Sequence, residues 1–169
     1  MTRRLAYADP PYPGQEARYS GGRSVYLPAL IAHLDTFDGW ALSTSTSALR
    51  EVWNLAPHAR CAAWLKTLAS NGWSRVRWSW EPVLFVTDRR GIRPGERSTV
   101  WDGLVCAPDW GHWQELPGVP GGAKPPPFVE WVLDLLDVGA GDWLVDLFPG
   151  SGGVGRAVAA RQLEMWATA

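Results

Sequence analysis

The run Trp143-Leu-Val-Asp-Leu-Phe148, followed by Pro149 and then Gly150-Ser-Gly-Gly-Val-Gly155, constrains this chain most. The apolar stretch Trp143–Phe148 reads as a buried strand. Glycines at G-x-G-x-x-G spacing let the backbone turn sharply into a helix from about Val154 to Gln162. They also admit a ligand to the backbone N–H groups at that helix N-terminus. A dinucleotide reading needs an acid ~20 residues further on, but the sole acid after Gly155 is Glu164, which disfavours NAD. A tight turn without a ligand stays open. A last short strand is expected over Met165–Ala169.

The rest of the chain alternates in the same way. Leu5–Ala8 is a short apolar strand stopped by Asp9, Pro10 and Pro11. Pro28–Leu34 suits a helix with proline in its first turn. Trp40–Leu42 reads as a buried strand running into Ser43, Thr44, Ser45, Thr46 and Ser47. Ser47 is placed to cap a helix carrying Leu49, Val52, Trp53 and Ala56. Arg60–Lys66 and Pro82–Thr87 are further strands. Phe128, Trp131, Val132, Leu135 and Leu136 fall on one helical face after Lys124-Pro-Pro-Pro127, and Gly139 and Gly141 end that helix. Alternating strands and helices predict an α/β fold, a parallel sheet with helices on both faces.

The 169 residues, 46% hydrophobic and 20% charged, suit one globular domain over 1–169. Within it, 88–122 is rich in turn residues and reads as an irregular insertion, a candidate recognition segment. No apolar run reaches the ~18–20 residues of a membrane span, and the N-terminus lacks a signal peptide's apolar region. Cys61 and Cys106 form no CxxC pair, so a reducing, cytoplasmic setting is expected. His33, His58 and His112 stand apart from other ligand types, and no metal is assigned. The net charge of −1 requires any polyanion to be met locally. Of the 16 basic residues, all are arginine except Lys66 and Lys124. Arg89, Arg90, Arg93 and Arg97 cluster in the insertion, as phosphate contacts or as a solvated loop.

Asp9-Pro10-Pro11-Tyr12 carries the second chemical signal. A carboxylate beyond the carboxyl end of a parallel strand lies where α/β sheets bind ligands. Two prolines remove two N–H donors and leave their carbonyls free as acceptors. Carboxylate, carbonyl and the flat Tyr12 ring together suit a planar base bearing an exocyclic NH₂ group. A plain proline turn is the other reading.

At these residues the sequence resembles a known family. Tyr7–Tyr12 (YADPPY) is similar to the catalytic motif of amino-group DNA methyltransferases, most often those acting on adenine N6. Asp146–Gly152 (DLFPGSG) resembles their S-adenosylmethionine (SAM) motif. Ala123–Leu136 resembles the Lys-Pro segment and helix that precede it, and Trp80–Val86 (WEPVLFV) the Glu-containing strand that follows the catalytic motif. Catalytic motif before cofactor motif is the order of the permuted DPPY class, in a layout like the small forms of actinobacteria and their phages.

The resemblance implies a Rossmann-like SAM-dependent methyltransferase sheet, circularly permuted in motif order, with an antiparallel strand. It implies SAM as cofactor, contacted by Asp146, Phe148, Gly150, Ser151, Gly152 and Lys124. Asp9, Pro10, Pro11 and Tyr12 would act on adenine N6 in DNA. Lys124 would pair with a carboxylate or cap local backbone, unless it is a solvated loop lysine, and Glu81 reads better as a hydrogen-bonded structural acid. Two departures stand out: Met165–Ala169 carries no ribose-binding acid, and 88–122 is short for target recognition. The alternatives are an N4-cytosine or RNA adenine enzyme, or a non-catalytic cofactor- or DNA-binding subunit; a homodimer or partner subunit would fit either departure.

Twelve tryptophans against 4 Tyr and 4 Phe remain to be placed. Trp40, Trp64, Trp131 and Trp143 are expected in the core, joined by Trp53 and Trp73. Trp78, Trp80, Trp101, Trp110 and Trp113 are the candidates for stacking on nucleic acid or a partner. Of these, Trp110 and Trp113 are grouped with Arg89, Arg90 and Arg93 as nucleic-acid contacts.

Overall fold

Alternation along the strands decides the layers. In β1 (Arg4–Ala8), Leu5 and Tyr7 join one apolar cluster while Ala6 and Ala8 join another, as the two-residue period of a strand requires. The same split recurs in β2 (Gly39–Ser43), where Ala41 faces one side and Trp40 and Leu42 the other. The computed structural model describes residues 2–13, 24–66, 76, 79–88, 99–105, 123–150 and 152–167, with the side chains of 164–167 left aside.

Between these strands lie α1 (Leu27–Leu34) and, after β2, α2 (Leu49–Leu55). Then come β3 (Arg60–Leu65), β4 (Trp80–Val86), β5 (Gly103–Val105), α3 (Pro126–Leu135), β6 (Trp143–Asp146) and α4 (Gly153–Ala167). Helices α1 and α2 cover one face through Leu30, Ile31, Leu34 and Val52. On the other, α3 buries Phe128, Trp131, Val132 and Leu135, and α4 adds Val154. Each such side chain taken fully from water contributes about 1.5–3 kcal/mol. The result is a three-layer α/β sandwich, as the alternation predicted.

The sheet order is β5-β3-β4-β2-β1-β6. Strand β1 pairs in parallel with β2 and β6, and β3 in parallel with β5, whereas β4 is antiparallel to both β2 and β3. Among the described strands, five therefore run one way and β4 runs back. Its amino end consequently shares a rim with the carboxyl ends of β1, β2, β3 and β6. That rim is where the candidate functional residues collect.

Several local expectations are corrected. Inside 88–122, Gly103–Val105 forms β5, because parallel pairing with Ala63–Leu65 organises residues of loop-like composition. The buried strand expected over Trp143–Phe148 is the shorter edge strand β6, which among the described residues pairs only with β1. Trp143 is accordingly 72% exposed rather than core. Trp53 is also exposed, its indole N–H donating to the Ala59 carbonyl at 3.1 Å. The strand expected at Met165–Ala169 is replaced through Ala167 by α4, which runs on without a breaking residue. Ser47 does not cap α2; Ser45 Oγ accepts the Ala48 N–H at 3.3 Å instead. Trp40, Trp64 and Trp131 are buried as expected.

Candidate functional site

The site begins at the end of β1. Pairing holds the strand in register through Ala8, and the two prolines then end it, leaving Asp9 on the rim with Pro10 buried behind it. Asp9 Oδ1 is fully buried and lacks a hydrogen bond of good geometry. Lys124 Nζ stands 3.2 Å from it as an ion pair.

Lys124 comes from the segment leading into α3 and is the hub of the cluster. Besides Asp9, its ammonium reaches Glu81 Oε2 at 3.3 Å and donates to the Tyr12 hydroxyl at 3.2 Å. An ammonium has three donors, and three oxygens surround this one, two from the Asp9–Tyr12 strand end and one from β4. The Tyr12 hydroxyl in turn donates to Glu81 Oε2 at 3.2 Å. The rings of Tyr12, Trp64 and Phe128 lie 5.4–5.5 Å from Lys124 Nζ, within cation–π range. On the far side of Glu81, Lys66 donates to Oε1 and lies 4.5 Å from the Trp64 ring. Beneath the cluster, the buried Tyr7 hydroxyl is hydrogen-bonded to Ser43 Oγ at 2.9 Å.

Burial sets the electrostatics of these groups. Desolvation pushes the Asp9 carboxyl above its ordinary value, and Lys124 offsets this only in part. Burial also opposes charge on Lys124, yet Asp9, Tyr12 and Glu81 outweigh it and raise the ammonium well above its usual range. For Glu81 burial acts upward, and Lys124 and Lys66 together hold the carboxyl below its ordinary value. Lys66 is lowered by burial, with Glu81 opposing.

The second half of the site follows β6. Asp146 lies opposite Tyr7 in the parallel register, so the glycine turn emerges beside the end of β1. Its Oδ1 accepts the Phe148 N–H at 3.1 Å and ties the start of the turn. Burial raises the Asp146 carboxyl, against that bond. Gly150 (φ 44°) and Gly152 (φ 73°) occupy left-handed backbone that side chains disfavour. Gly155 has no such need, for it lies exposed within α4 and a Cβ there would meet nothing within 4 Å. The three-glycine pattern is thus a two-glycine turn with a helical glycine after it.

The structure brings together Asp9, Pro10, Pro11, Tyr12 and Lys124, with Asp146, Phe148, Gly150 and Gly152 on the adjoining strand end. Lys124, grouped with the cofactor residues and expected to pair with a carboxylate unless solvated, is largely buried and paired with Asp9 and Glu81. Ser43 is buried against Tyr7, and Thr44 donates its N–H to the Pro82 carbonyl at 3.1 Å. Ser151, Arg89, Arg90, Arg93, Arg97, Trp73, Trp78, Trp110 and Trp113 lie outside the described residues; Trp101 is 74% exposed. Glu81 is the hydrogen-bonded acid that the sequence suggested, bonded to Tyr12, Lys66 and Lys124, whereas Lys66 was not singled out. The available signal was compositional: in a chain whose other 14 basic residues are arginine, both lysines converge on Glu81. No group of three His, Cys, Asp or Glu side chains arranged as metal ligands occurs among the described residues, and no described helix is long and apolar enough to cross a membrane.

No family model and no curated protein matches the sequence. Among solved structures, the chain is similar to M1.HpyAVI in complex with SAM, with a TM-score of 0.63 and 14% identity, covering 96% of this chain and 79% of that one. It is similar also to M1.HpyAVI alone, with a TM-score of 0.64 and 13% identity over 96% and 78% of the two chains. The chain shares with these structures a mixed α/β sheet fold, with β4 as its antiparallel strand, as anticipated from the sequence.

Proposed function

We propose that this chain is a SAM-dependent methyltransferase acting on the N6 amino group of adenine in DNA. The observation that carries the reading is the pairing of two strand ends. A carboxylate anchored by a buried ammonium ends β1, and a turn with two left-handed glycines ends its neighbour β6. The catalytic strand precedes the cofactor strand in the chain although they are adjacent in the sheet, which fits the permuted class. The similarity to M1.HpyAVI bound to SAM supports the choice of cofactor.

The residues present fit that cofactor. Gly150 and Gly152 present backbone without a Cβ just before a 15-residue helix, and Asp146, Phe148 and Ser151 would complete the cradle. SAM supplies a methyl group on a sulfonium, a strong electrophile that leaves as a neutral thioether. The adenine amine is a poor nucleophile because its lone pair is delocalised into the ring. Asp9 Oδ2 and the Pro10 carbonyl would accept hydrogen bonds from its two N–H groups, turning the nitrogen toward the methyl by position and electrostatics. As the N–C bond forms and the S–C bond breaks, the amine proton would pass to Asp9 Oδ2. Tyr12 would stack on the base, returning ~1–3 kcal/mol of the few kcal/mol that base flipping costs. Arg89, Arg90, Arg93, Trp110 and Trp113 are the proposed nucleic-acid contacts.

The test is tritiated methyl transfer to unmethylated DNA with Asp9→Ala as control, followed by identification of the modified nucleoside. N6-methyladenine from wild type alone supports the reading. N4-methylcytosine, or label in RNA only, moves it to that substrate. No incorporation despite binding of S-adenosylhomocysteine overturns the enzyme in favour of a cofactor-binding subunit.

A further inference from the structure

The described part of the rim carries a row of alternating charge whose outer end the mechanism does not use. Lys66 bonds to Glu81, Glu81 holds Lys124, and Lys124 holds Asp9. We propose that Lys66 is a positioning residue for the methyl-accepting site, acting through Glu81 and Lys124 on the Asp9 carboxylate. This rests on the methyltransferase reading above.

Three observations lead there. The side chain of Lys66 is 8% exposed, so its charge is placed in a buried cluster, where charge is costly unless paired. The four groups, two cations and two anions, balance, so removing one end leaves the next member over- or under-neutralised. The placement of the two lysines is also uneven: both ammonium groups of this arginine-rich chain meet on one carboxylate. They approach the same Trp64 ring, at 4.5 Å and 5.4 Å, with Glu81 bonded to each. Glu81 is thus shared between Lys66 and Lys124, and how firmly it draws Lys124 away from Asp9 depends on Lys66.

The sign of the effect follows. The groups that act on Asp9 are Lys124 before α3, Glu81 on β4, Lys66 after β3, Tyr7 on β1, Tyr12 beyond it and Asp146 on β6. Without the Lys66 charge, Glu81 draws Lys124 toward itself and Asp9 also loses a nearby cation. Both changes make Asp9 easier to protonate. Without the Glu81 charge, Lys124 turns to Asp9 and a nearby anion is gone, so Asp9 becomes harder to protonate.

The experiment compares Lys66→Met, which keeps an apolar stem on Trp64, with Lys66→Arg, Glu81→Gln and Lys66→Met/Glu81→Gln. Two readouts are used: the acid limb of kcat/KM against pH on unmethylated duplex DNA, and the ¹³C titration of the Asp9 carboxyl without cofactor or DNA, assigned by its loss in Asp9→Asn. Lys66→Met is expected to move both upward by about half a pH unit or more. Glu81→Gln moves both downward, while Lys66→Arg and the double variant lie near wild type. A purely structural role leaves the midpoints together whatever it does to rate. Lys66→Met midpoints coincident with wild type, or Lys66→Arg shifted as far as Lys66→Met, overturn the proposal. Should Lys66→Met fail to fold, a Glu81→Gln midpoint at or above wild type overturns it and a lowered one supports it. An inactive wild type refutes the methyltransferase reading, whereas an active wild type with unmoved midpoints refutes only the role of Lys66.

Discussion

Lys124 Nζ lies 3.2 Å from Asp9 Oδ1, and that oxygen is sealed from solvent. The ammonium is itself fixed by Glu81 and Tyr12, so the carboxylate cannot swing to a new rotamer without breaking a network drawn from three segments. Such fixed charge is what a site needs if it is to orient an amine before reaction, because little reorganisation is left for the reacting moment.

Protonation of Asp9 should therefore be visible in activity. Burial raises the carboxyl above its ordinary value of 3.8. A raised carboxyl is ionised only above that higher value, so methyl transfer is full above it and falls as pH drops through it. The acid limb of kcat/KM is expected above the ordinary carboxylate range. Asp9→Asn at neutral pH should lower kcat by about a hundredfold or more, in line with loss of one preorganised electrostatic contact. A limb at or below the ordinary range counts against Asp9.

The glycines of the turn should separate by function. Gly150→Val puts a β-branched residue at φ 44°, where such residues are outliers. Binding of S-adenosylhomocysteine, measured by calorimetry, should weaken at least about tenfold, the equivalent of ~1.4 kcal/mol and within the expected strain. Gly155→Ala should leave binding unchanged and raise stability by about 0.5–1 kcal/mol, since it lies exposed inside α4. The reverse pattern would move the ligand site away from Gly150.

Acid should loosen the opposite end of the sheet. Asp142, buried beside the start of β6, accepts the Arg3 and Gly139 backbone N–H groups at 3.1 and 2.9 Å and bonds the Arg3 side chain. Burial alone would raise its carboxyl, but these bonds prevail and hold it below the ordinary value. A depressed carboxyl stabilises the fold above its unfolded value, and that contribution is lost as pH falls through the folded one. Urea titrations of Asp142→Ala should show a loss of about 3 kcal/mol at neutral pH that shrinks below pH ~4. A loss independent of pH would assign the effect to packing.

Tyr7 and Ser43 should behave as a unit. Their hydroxyls meet at 2.9 Å in the core, and removing one leaves the other buried without its partner. Tyr7→Phe and Ser43→Ala are each expected to cost about 1–3 kcal/mol, and the double variant less than their sum. Additive losses in chemical denaturation would mean the hydroxyls do not support each other.

How much of this was legible depended on the range over which each feature is decided. The α/β class, most strand and helix positions, the Asp9-Pro-Pro-Tyr12 strand end and the glycine turn could be read from the sequence. Hydrophobic period, proline geometry and glycine φ freedom act over a few residues, and each leaves a local pattern. What lies deeper was decided by tertiary contact. β5 exists because β3 offers it backbone partners, and Trp143 is exposed because β6 has β1 on one side only among the described residues. Glu81 reaches the rim because β4 runs against its neighbours, so its amino end meets their carboxyl ends. Strand direction leaves no mark in hydrophobic alternation, since a strand buries the same face whichever way it runs. Residue type and spacing alone therefore marked Asp9 and Gly150 as candidate site residues. Only the folded sheet, by setting β4 antiparallel, decided that Lys66, Glu81 and Lys124 would meet behind that carboxylate.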